Sequence, residues 1–179
     1  MVSDFRKKKL SYVYKKLYDP KNTGSITKND FFTSLKMVAK IQGWNEDELE
    51  RKAAHRTMLQ IWEGFTKAAD KDSDGKISSD EWIAMWTAQD KNSMAEWQKQ
   101  YCKVLFNIQD VSGDGVVNGD EFVQVHLKFD IPKDEAIEAF KKLSGGKSSI
   151  TYEDFEKLYQ DYFYSDDVNA PGNHLFGTN

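Results

Sequence analysis

Residues 70–81 read DKDSDGKISSDE, and this stretch places an oxygen atom at every position that a hard divalent cation requires. Carboxylates stand at positions 1, 3, 5 and 12, and position 7 offers its backbone carbonyl. Gly75 at position 6 permits the sharp turn that wraps the chain around an ion. The predicted metal ligands are Asp70, Asp72, Asp74, the Lys76 carbonyl and Glu81. A solvated acidic turn would not need all these positions filled correctly, so we expect this stretch, loop two, to bind calcium.

A second stretch, residues 110–121 (loop three), repeats the pattern as DVSGDGVVNGDE. Its predicted metal ligands are Asp110, Ser112, Asp114, the Val116 carbonyl and Glu121. Gly115 stands at the turn, and Asn118 takes position 9, where Ser78 of loop two can hold a bridging water. Because Ser112 replaces a carboxylate, loop three has three ligand carboxylates where loop two has four. We expect calcium here as well.

Residues 19–30 (loop one) keep the frame of the pattern without its full chemistry. The candidate ligands of this site are Asp19, Thr23, Ser25 and Asp30. Lys21 stands at position 3, where its ammonium would face the cation. Asp30 at position 12 is one methylene shorter than glutamate and binds bidentately less easily. We therefore expect a site that is weak, empty or biased toward magnesium, which keeps more of its water ligands.

Residues 143–154 (loop four) cannot form a hard-cation site from their side chains. Positions 1, 3 and 5 are Leu143, Gly145 and Lys147, and only Asp154 at position 12 remains. The repeat is nevertheless recognisable, because position 13 is aromatic in each loop and position 8 is aliphatic. These residues are Phe31, Trp82, Phe122 and Phe155 at position 13, and Ile26, Ile77, Val117 and Ile150 at position 8. We expect loop four to persist as scaffold, supplying the strand partner that loop three needs.

Four helix-loop-helix repeats predict an all-α, compact fold with two paired lobes. We expect a single protein over 1–179, with a first pair at 3–91, a second pair at 92–165 and a packed C-terminal tail at 166–179. Leu175 and Phe176 are adjacent apolar residues that would hold the tail on the body. Between the first two repeats, Gly43-Trp44-Asn45-Glu46 predicts a break followed by a helix start.

The composition narrows the possible function and location. The chain has 179 residues, a formal net charge of −4 and a single cysteine, Cys102. Weak net acidity gives no support for nucleic-acid binding. One cysteine excludes an internal disulfide framework and fits a reducing cytoplasm, the expected location. The sequence shows no signal peptide or long apolar run, and Val2 stands where myristoylation needs glycine, so we expect no membrane anchor.

The four repeats, the insertion after the first and the dense aromatic residues resemble the invertebrate sarcoplasmic calcium-binding proteins and calexcitins, which are EF-hand proteins. The tail GNHLFG at 172–177 is similar to the calexcitin C-terminus, and the resemblance covers essentially the whole chain. It implies a two-lobed helical fold with a filled centre. It also implies calcium-ion binding as a cytosolic buffer or signal module.

A second function stays open beside calcium binding. The start VSDFRKKKL at 2–10 is similar to insect members of this family described as juvenile hormone diol kinases. That resemblance implies phosphoryl transfer from ATP or GTP to an apolar small molecule, a sesquiterpenoid diol. The candidate phosphate site is Gly146, Lys147 and Ser148. A P-loop would need glycine where Lys141 stands, and no catalytic residue or protein-kinase signature is found, so whether the chain is an enzyme is undecided.

Overall fold

The computed structural model describes residues 2–41, 43, 49–88, 92 and 94–177. In this part of the chain the fold is all-α, as predicted, with only two very small sheets. Its α-helices are α1 (Asp4–Val13), α2 (Lys28–Ile41), α3 (Leu49–Ala69), α4 (Ser79–Ala88), α5 (Glu96–Gln109), α6 (Gly119–Lys128), α7 (Lys133–Ser144) and α8 (Tyr152–Tyr164). Residues 44–46 of the predicted helix start lie outside the described residues. No helix among those described is long and apolar enough to cross a bilayer.

Three-residue strands join the loops in pairs. The strands are β1 (Ser25–Thr27), β2 (Lys76–Ser78), β3 (Val116–Asn118) and β4 (Ser149–Thr151). β1 pairs antiparallel with β2, so that Ile26 stands opposite Ile77. β3 pairs in the same way with β4, so that Val117 stands opposite Ile150. All four side chains are buried. The predicted pairing of the position-8 residues is therefore confirmed, and loop four does supply the partner strand of loop three.

Residues 13–101 form one compact unit, whose centre is aromatic. Phe65 of α3 packs edge-to-face against four other rings, including Trp82 at 5.5 Å, Trp97 at 4.8 Å and Tyr101 at 5.3 Å between ring centroids. Gly64 is required for this packing, because a Cβ at that position would lie 2.4 Å from the Trp97 ring. Trp82, the aromatic residue that follows loop two, is thus a core residue, as its position in the repeat predicts.

A turn of π-helix, Tyr14–Tyr18, leads from α1 into loop one. It ends where the N–H of Asp19 donates to the carbonyl of Tyr14 at 3.0 Å, which places the first residue of loop one. The Tyr14 hydroxyl donates to the carbonyl of Ile77 in β2 at 2.9 Å. Tyr14 therefore ties the approach to loop one to the strand of loop two.

The second compact unit consists of residues 1–12 and 102–179. Helix α1 is anchored there by Lys9, whose fully buried ammonium donates to the carbonyls of Asp161 and Ser165, both at 3.1 Å, and to Asn173 Oδ1 at 2.7 Å. Carbonyls at the C-terminal end of α8 carry partial negative charge and favour a cation. Burial, and secondarily the charge of Arg6, lowers the pKa of Lys9 to about 8. The predicted division of the chain into 3–91, 92–165 and 166–179 was based on the sequence repeats and stays a prediction. The two compact units are defined instead by contacts between residues.

The C-terminal tail packs on α8, as predicted. A short 3₁₀ helix, Pro171–His174, leads into Leu175 and Phe176, which are buried. The Phe176 ring meets Tyr162 edge-on with centroids 4.7 Å apart. Gly172 permits this close approach, since a Cβ there would lie 2.2 Å from the backbone oxygen of Leu158.

Replacing Phe176 by Ala should lower the free energy of unfolding by about 3 kcal/mol, because a buried ring is lost and its cavity cannot fully close. Val168, in the segment that leads into the tail, is 62% exposed, so Val168→Ala is the matched control and should change stability little. Chemical denaturation of both variants measures the difference. Equal stability of the two would contradict a packed tail.

His126 connects α6 to the tail. Its Nδ1 lies 2.7 Å from the carbonyl oxygen of Phe122, and its Nε2 lies 3.1 Å from that of Leu175. Burial lowers the pKa of His126 to about 4, although the two carbonyls and Glu135 act in the opposite direction. The folded protein therefore holds a neutral imidazole, while the unfolded chain protonates near the ordinary pKa.

Because the pKa of His126 is lower in the folded state, this group contributes stability above pH 6.5 that is lost as the pH falls toward 4. Calcium-free protein should lose about 1 kcal/mol of stability between pH 7 and pH 5.5. Denaturant titrations at the two pH values should show a smaller loss for His126→Gln. The exposed His55 lies outside this contact, and His55→Gln is the control substitution. An unchanged slope in His126→Gln would contradict the assignment.

Candidate metal centres

Loop two brings three carboxylates together at one point. Oxygen atoms of Asp70, Asp72 and Asp74 all lie within 4.8 Å of one another. Calcium binds oxygen at 2.3–2.6 Å, so two ligands on opposite sides of the ion are about 5 Å apart. The spacing therefore suits a calcium ion, and the all-oxygen donor set suits a hard cation.

The first aspartate of each of loops one to three organises its loop. Asp70 accepts hydrogen bonds from the backbone N–H groups of Asp74 at 3.2 Å and Gly75 at 3.0 Å. Asp110 accepts from three N–H groups between positions 4 and 6, at 2.9 to 3.1 Å. Asp19 accepts from the N–H groups at positions 5 and 6 at 2.6 and 2.8 Å. The N–H groups hold each loop as a cup around the first carboxylate.

Position 6 requires glycine for its backbone angle. The φ values of Gly24, Gly75 and Gly115 are 87°, 78° and 89°, a region that L-residues rarely adopt. A Cβ at these positions would meet nothing within 4 Å, so lack of space is not the reason. Loop four differs, because its positive angles fall at Gly145 and Gly146, which are positions 3 and 4. Its backbone therefore follows a different path.

The closing glutamates of loops two and three reach across their loops. Glu81 accepts with Oε1 from the N–H of Lys71 at 2.9 Å and with Oε2 from the N–H of Ser78 at 2.9 Å. Glu121 accepts with Oε1 from Ser112 at 2.8 Å and with Oε2 from Asn118 at 3.0 Å. Each carboxylate thus joins the start of its loop to position 9, and both of its oxygens face the loop.

Within the described residues, the closing residue of loop one does not reach across to the start of its loop. Asp30 accepts with Oδ2 from the N–H and the hydroxyl of Thr27, at 2.9 and 2.6 Å, and these bonds only cap α2. The hydroxyl of Thr23 donates to the carbonyl of Ser25 at 3.0 Å, so two of the candidate ligands bond to each other. Loop one therefore has a less suitable arrangement for a metal ion than loops two and three.

Hydrogen bonding keeps the key carboxylates ionised. Partial burial raises the pKa of Glu81, but the backbone N–H groups of Ser78 and Lys71 lower it by more, so the pKa lies below its usual value. Burial likewise raises the pKa of Asp19, and hydrogen bonds from Thr23 and Gly24 outweigh it. Both groups are therefore charged at neutral pH, as ligands of a divalent cation must be.

Loop four contains an ion pair. The ammonium of Lys147 lies 3.0 Å from Asp154 Oδ2. The candidate phosphate site at Gly146, Lys147 and Ser148 therefore has its one cation already paired within the loop. That site stays an untested prediction, and the ion pair was not predicted from the sequence. A lysine at position 5 with an aspartate at position 12 was the available signal.

The comparisons with known proteins agree with this geometry. The family model for the EF hand matches residues 67–86, which include the whole of loop two. Calexcitin-1 of Caenorhabditis elegans is 29% identical over 98% of this chain and 88% of its own length. The sarcoplasmic calcium-binding proteins II, V, VI and VII of Branchiostoma lanceolatum are 25% identical over 98% of each chain.

Residues 67–86 of this chain are an EF hand, and its homologues include a calexcitin and sarcoplasmic calcium-binding proteins. The solved sarcoplasmic calcium-binding protein from amphioxus has the same fold, with a TM-score of 0.80 and 23% identity over 98% of both chains. The resemblance drawn from the sequence is confirmed for this family. These comparisons give no support to the juvenile hormone diol kinase alternative.

Proposed function

We propose that this EF-hand protein binds calcium ions at loops two and three and acts as a cytoplasmic calcium buffer. The main support is the orientation of the closing glutamates: both carboxylate oxygens of Glu81 and of Glu121 face their loops, which Asp70 and Asp110 hold in shape. In loop two, Asp72 and Asp74 join Asp70 within one calcium-sized space. In loop three, Ser112 and Asp114 would take the corresponding roles. The carbonyls of Lys76 and Val116 complete the two sets.

Bound calcium would supply positive charge to carboxylates that otherwise repel one another. The N–H groups at positions 4 to 6 hold the first carboxylate of each of these loops in place, so little rearrangement is needed when the ion arrives. Binding to the folded state alone also stabilises the fold. At a free calcium concentration a thousand times the dissociation constant, each site adds about 4 kcal/mol.

Buffering suits the side chains of this protein better than target recognition does. Sensors that open a groove for many partners use flexible methionines. This chain has five Met against five Trp, eight Tyr and eleven Phe. The rings of Phe65 and Trp82 are packed edge-to-face in the core, and such rigid rings suit a closed structure better than a groove that opens. A cytoplasmic location is supported by the single cysteine, Cys102, which is buried and unpaired.

Loop one is proposed as a weak site that favours magnesium. Its buried Asp19 can serve a small ion that keeps several waters, whereas Asp30 is bound to Thr27 and Lys21 opposes any cation. Loop four is proposed to bind no metal. The apolar ligand, the nucleotide and the kinase activity remain predictions from the N-terminal resemblance alone.

Replacing Glu81 by Gln should nearly abolish calcium binding at loop two, because the ion loses two oxygens and a charge. The buried Trp82 and Trp86 follow directly in α4, so tryptophan fluorescence during a calcium titration reports the loss. Asp80→Asn removes the neighbouring exposed carboxylate outside the ligand positions and should leave the titration intact. An identical titration for wild type and Glu81→Gln would show that the site is misplaced.

Replacing Asp30 by Glu should strengthen metal binding at loop one, because the longer side chain can cross the loop as Glu81 and Glu121 do. Calorimetry should find two strong calcium sites in the wild type and a measurable third in the variant. Asp154→Glu is the same change at position 12 of loop four, where no other ligands exist, and should add no site. Three or four equally strong sites in the wild type would contradict the proposal.

A further inference from the structure

Loop four brings a positive charge to its closing carboxylate without a metal. Lys147 stands at position 5 and Asp154 at position 12, and their charged atoms are 3.0 Å apart. In loops two and three the same two positions carry Asp74 with Glu81, and Asp114 with Glu121, which are proposed to share a calcium ion. In loops two and three the proposed calcium ion would join the two positions, whereas in loop four the cation that joins them is part of the chain.

The surrounding backbone is shaped to bring the lysine to this point. Helix α7 ends at Gly145 in the left-handed conformation, with φ 59°, and Gly146 follows with φ 87°. The N–H of Lys147 donates to the carbonyl of Ser144 at 3.2 Å, which closes the turn. Position 4 has a positive φ in all four loops, but the second positive angle of loop four lies at position 3 and not at position 6, so position 5 is reached by a different path.

The ion pair also bridges the two ends of β4. Lys147 precedes the strand, and Asp154 lies in the first turn of α8, where its N–H donates to the Thr151 hydroxyl at 3.2 Å. Between them, Ser149, Ile150 and Thr151 pair residue by residue with β3. β3 in turn contains Val116, whose carbonyl is a proposed calcium ligand of loop three.

We propose that the Lys147 ammonium serves loop four as a built-in cation, which closes the loop without metal and holds β4 ready to pair with loop three. Lys147 is then a positioning residue for the calcium site of loop three, and loop four is a permanently closed partner. The inference rests on the proposed calcium site at loop three. It assigns to Lys147 a role in calcium affinity rather than in phosphate binding.

The expected change in calcium affinity at loop three is small, because the Lys147–Asp154 ion pair is exposed to water. The side chains of Lys147 and Asp154 are 64% and 32% exposed, so water screens their attraction. The hydrogen bond from Lys147 is the largest influence on Asp154 and lowers its pKa, which agrees with a formed pair. A surface pair of this kind changes an equilibrium by about two- to five-fold.

The test is a calcium titration of the full chain by NMR, with the amides of Gly75 and Gly115 as separate reporters of loops two and three. Both amides bond to the first aspartate of their loop, each at 3.0 Å, so each senses its own site. The variant is the double substitution Lys147→Met with Asp154→Asn, which removes the pair and leaves the net charge unchanged. The Gly115 midpoint should rise by about two- to five-fold, and the Gly75 midpoint should stay the same.

Two controls separate positioning from general stability. Lys157→Met with Glu153→Gln removes a neighbouring pair of the same charges on α8, at 3.1 Å, and should leave both midpoints unchanged. Lys147→Arg keeps a cation and should restore the wild-type Gly115 midpoint. In calcium-free protein, the Ile150 amide of the first double variant should also exchange its hydrogen faster, because β4 is less firmly held.

The titrations distinguish a failure of the positioning role of Lys147 from a failure of the calcium site in loop three. An unchanged Gly115 midpoint in the Lys147/Asp154 variant would overturn the positioning role, even if its melting temperature fell. An equal shift in the Lys157/Glu153 control would overturn it too. If Gly115 of the wild type did not respond to calcium at all, loop three would bind none, and the proposed site would fail together with the inference.

Discussion

The repulsion among carboxylates that are gathered at one point, as in loop two, is the constraint on which the metal-binding architecture depends. Loop two gathers Asp70, Asp72 and Asp74 within 4.8 Å, which is costly unless positive charge or donors are brought to them. Backbone N–H groups bound to the first aspartate meet part of that need. Glycine at position 6 permits the sharp turn of each of loops one to three, since it adopts a positive φ that L-residues rarely adopt. The remaining charge is left for a cation.

The four loops differ in the partners of the carboxylate at position 12. Loops two and three have closing glutamates with both oxygens turned to the loop, so a metal ion is the proposed partner. In loop one, the shorter Asp30 stays on its helix cap and Lys21 stands at a ligand position. In loop four, Lys147 pairs directly with Asp154. We therefore propose that one repeat has given a metal site, a weakened site and a scaffold without metal, through changes at positions 3, 5 and 12.

Strand pairing makes loops one and four necessary even though their ligand sets are incomplete. A three-residue strand has too few hydrogen bonds to persist alone, so each loop depends on its neighbour and on the helices below. Ile77 is fully buried opposite Ile26, and Val117 is fully buried opposite Ile150. Loop four could lose its ligands, provided that it kept Ile150 and the aromatic Phe155. The dense aromatic cores hold these arrangements in place and suit a protein that stores calcium better than one that opens.

The sequence by itself determined the four repeats, their loops, the all-α class and the pairing of position-8 residues. These features are local: every proposed ligand of a site lies within twelve consecutive residues, and the spacing is set by the shape of one turn around an ion. Only the tertiary structure decided that α1 is anchored by Lys9 to the end of α8 and that His126 meets the tail at Leu175. Those contacts join residues far apart in the chain, and they depend on how helices pack. The ion pair of Lys147 with Asp154 depends on both the local sequence and the folded structure. The two residues lie in one loop, but the backbone path through Gly145 and Gly146 brings their side chains together.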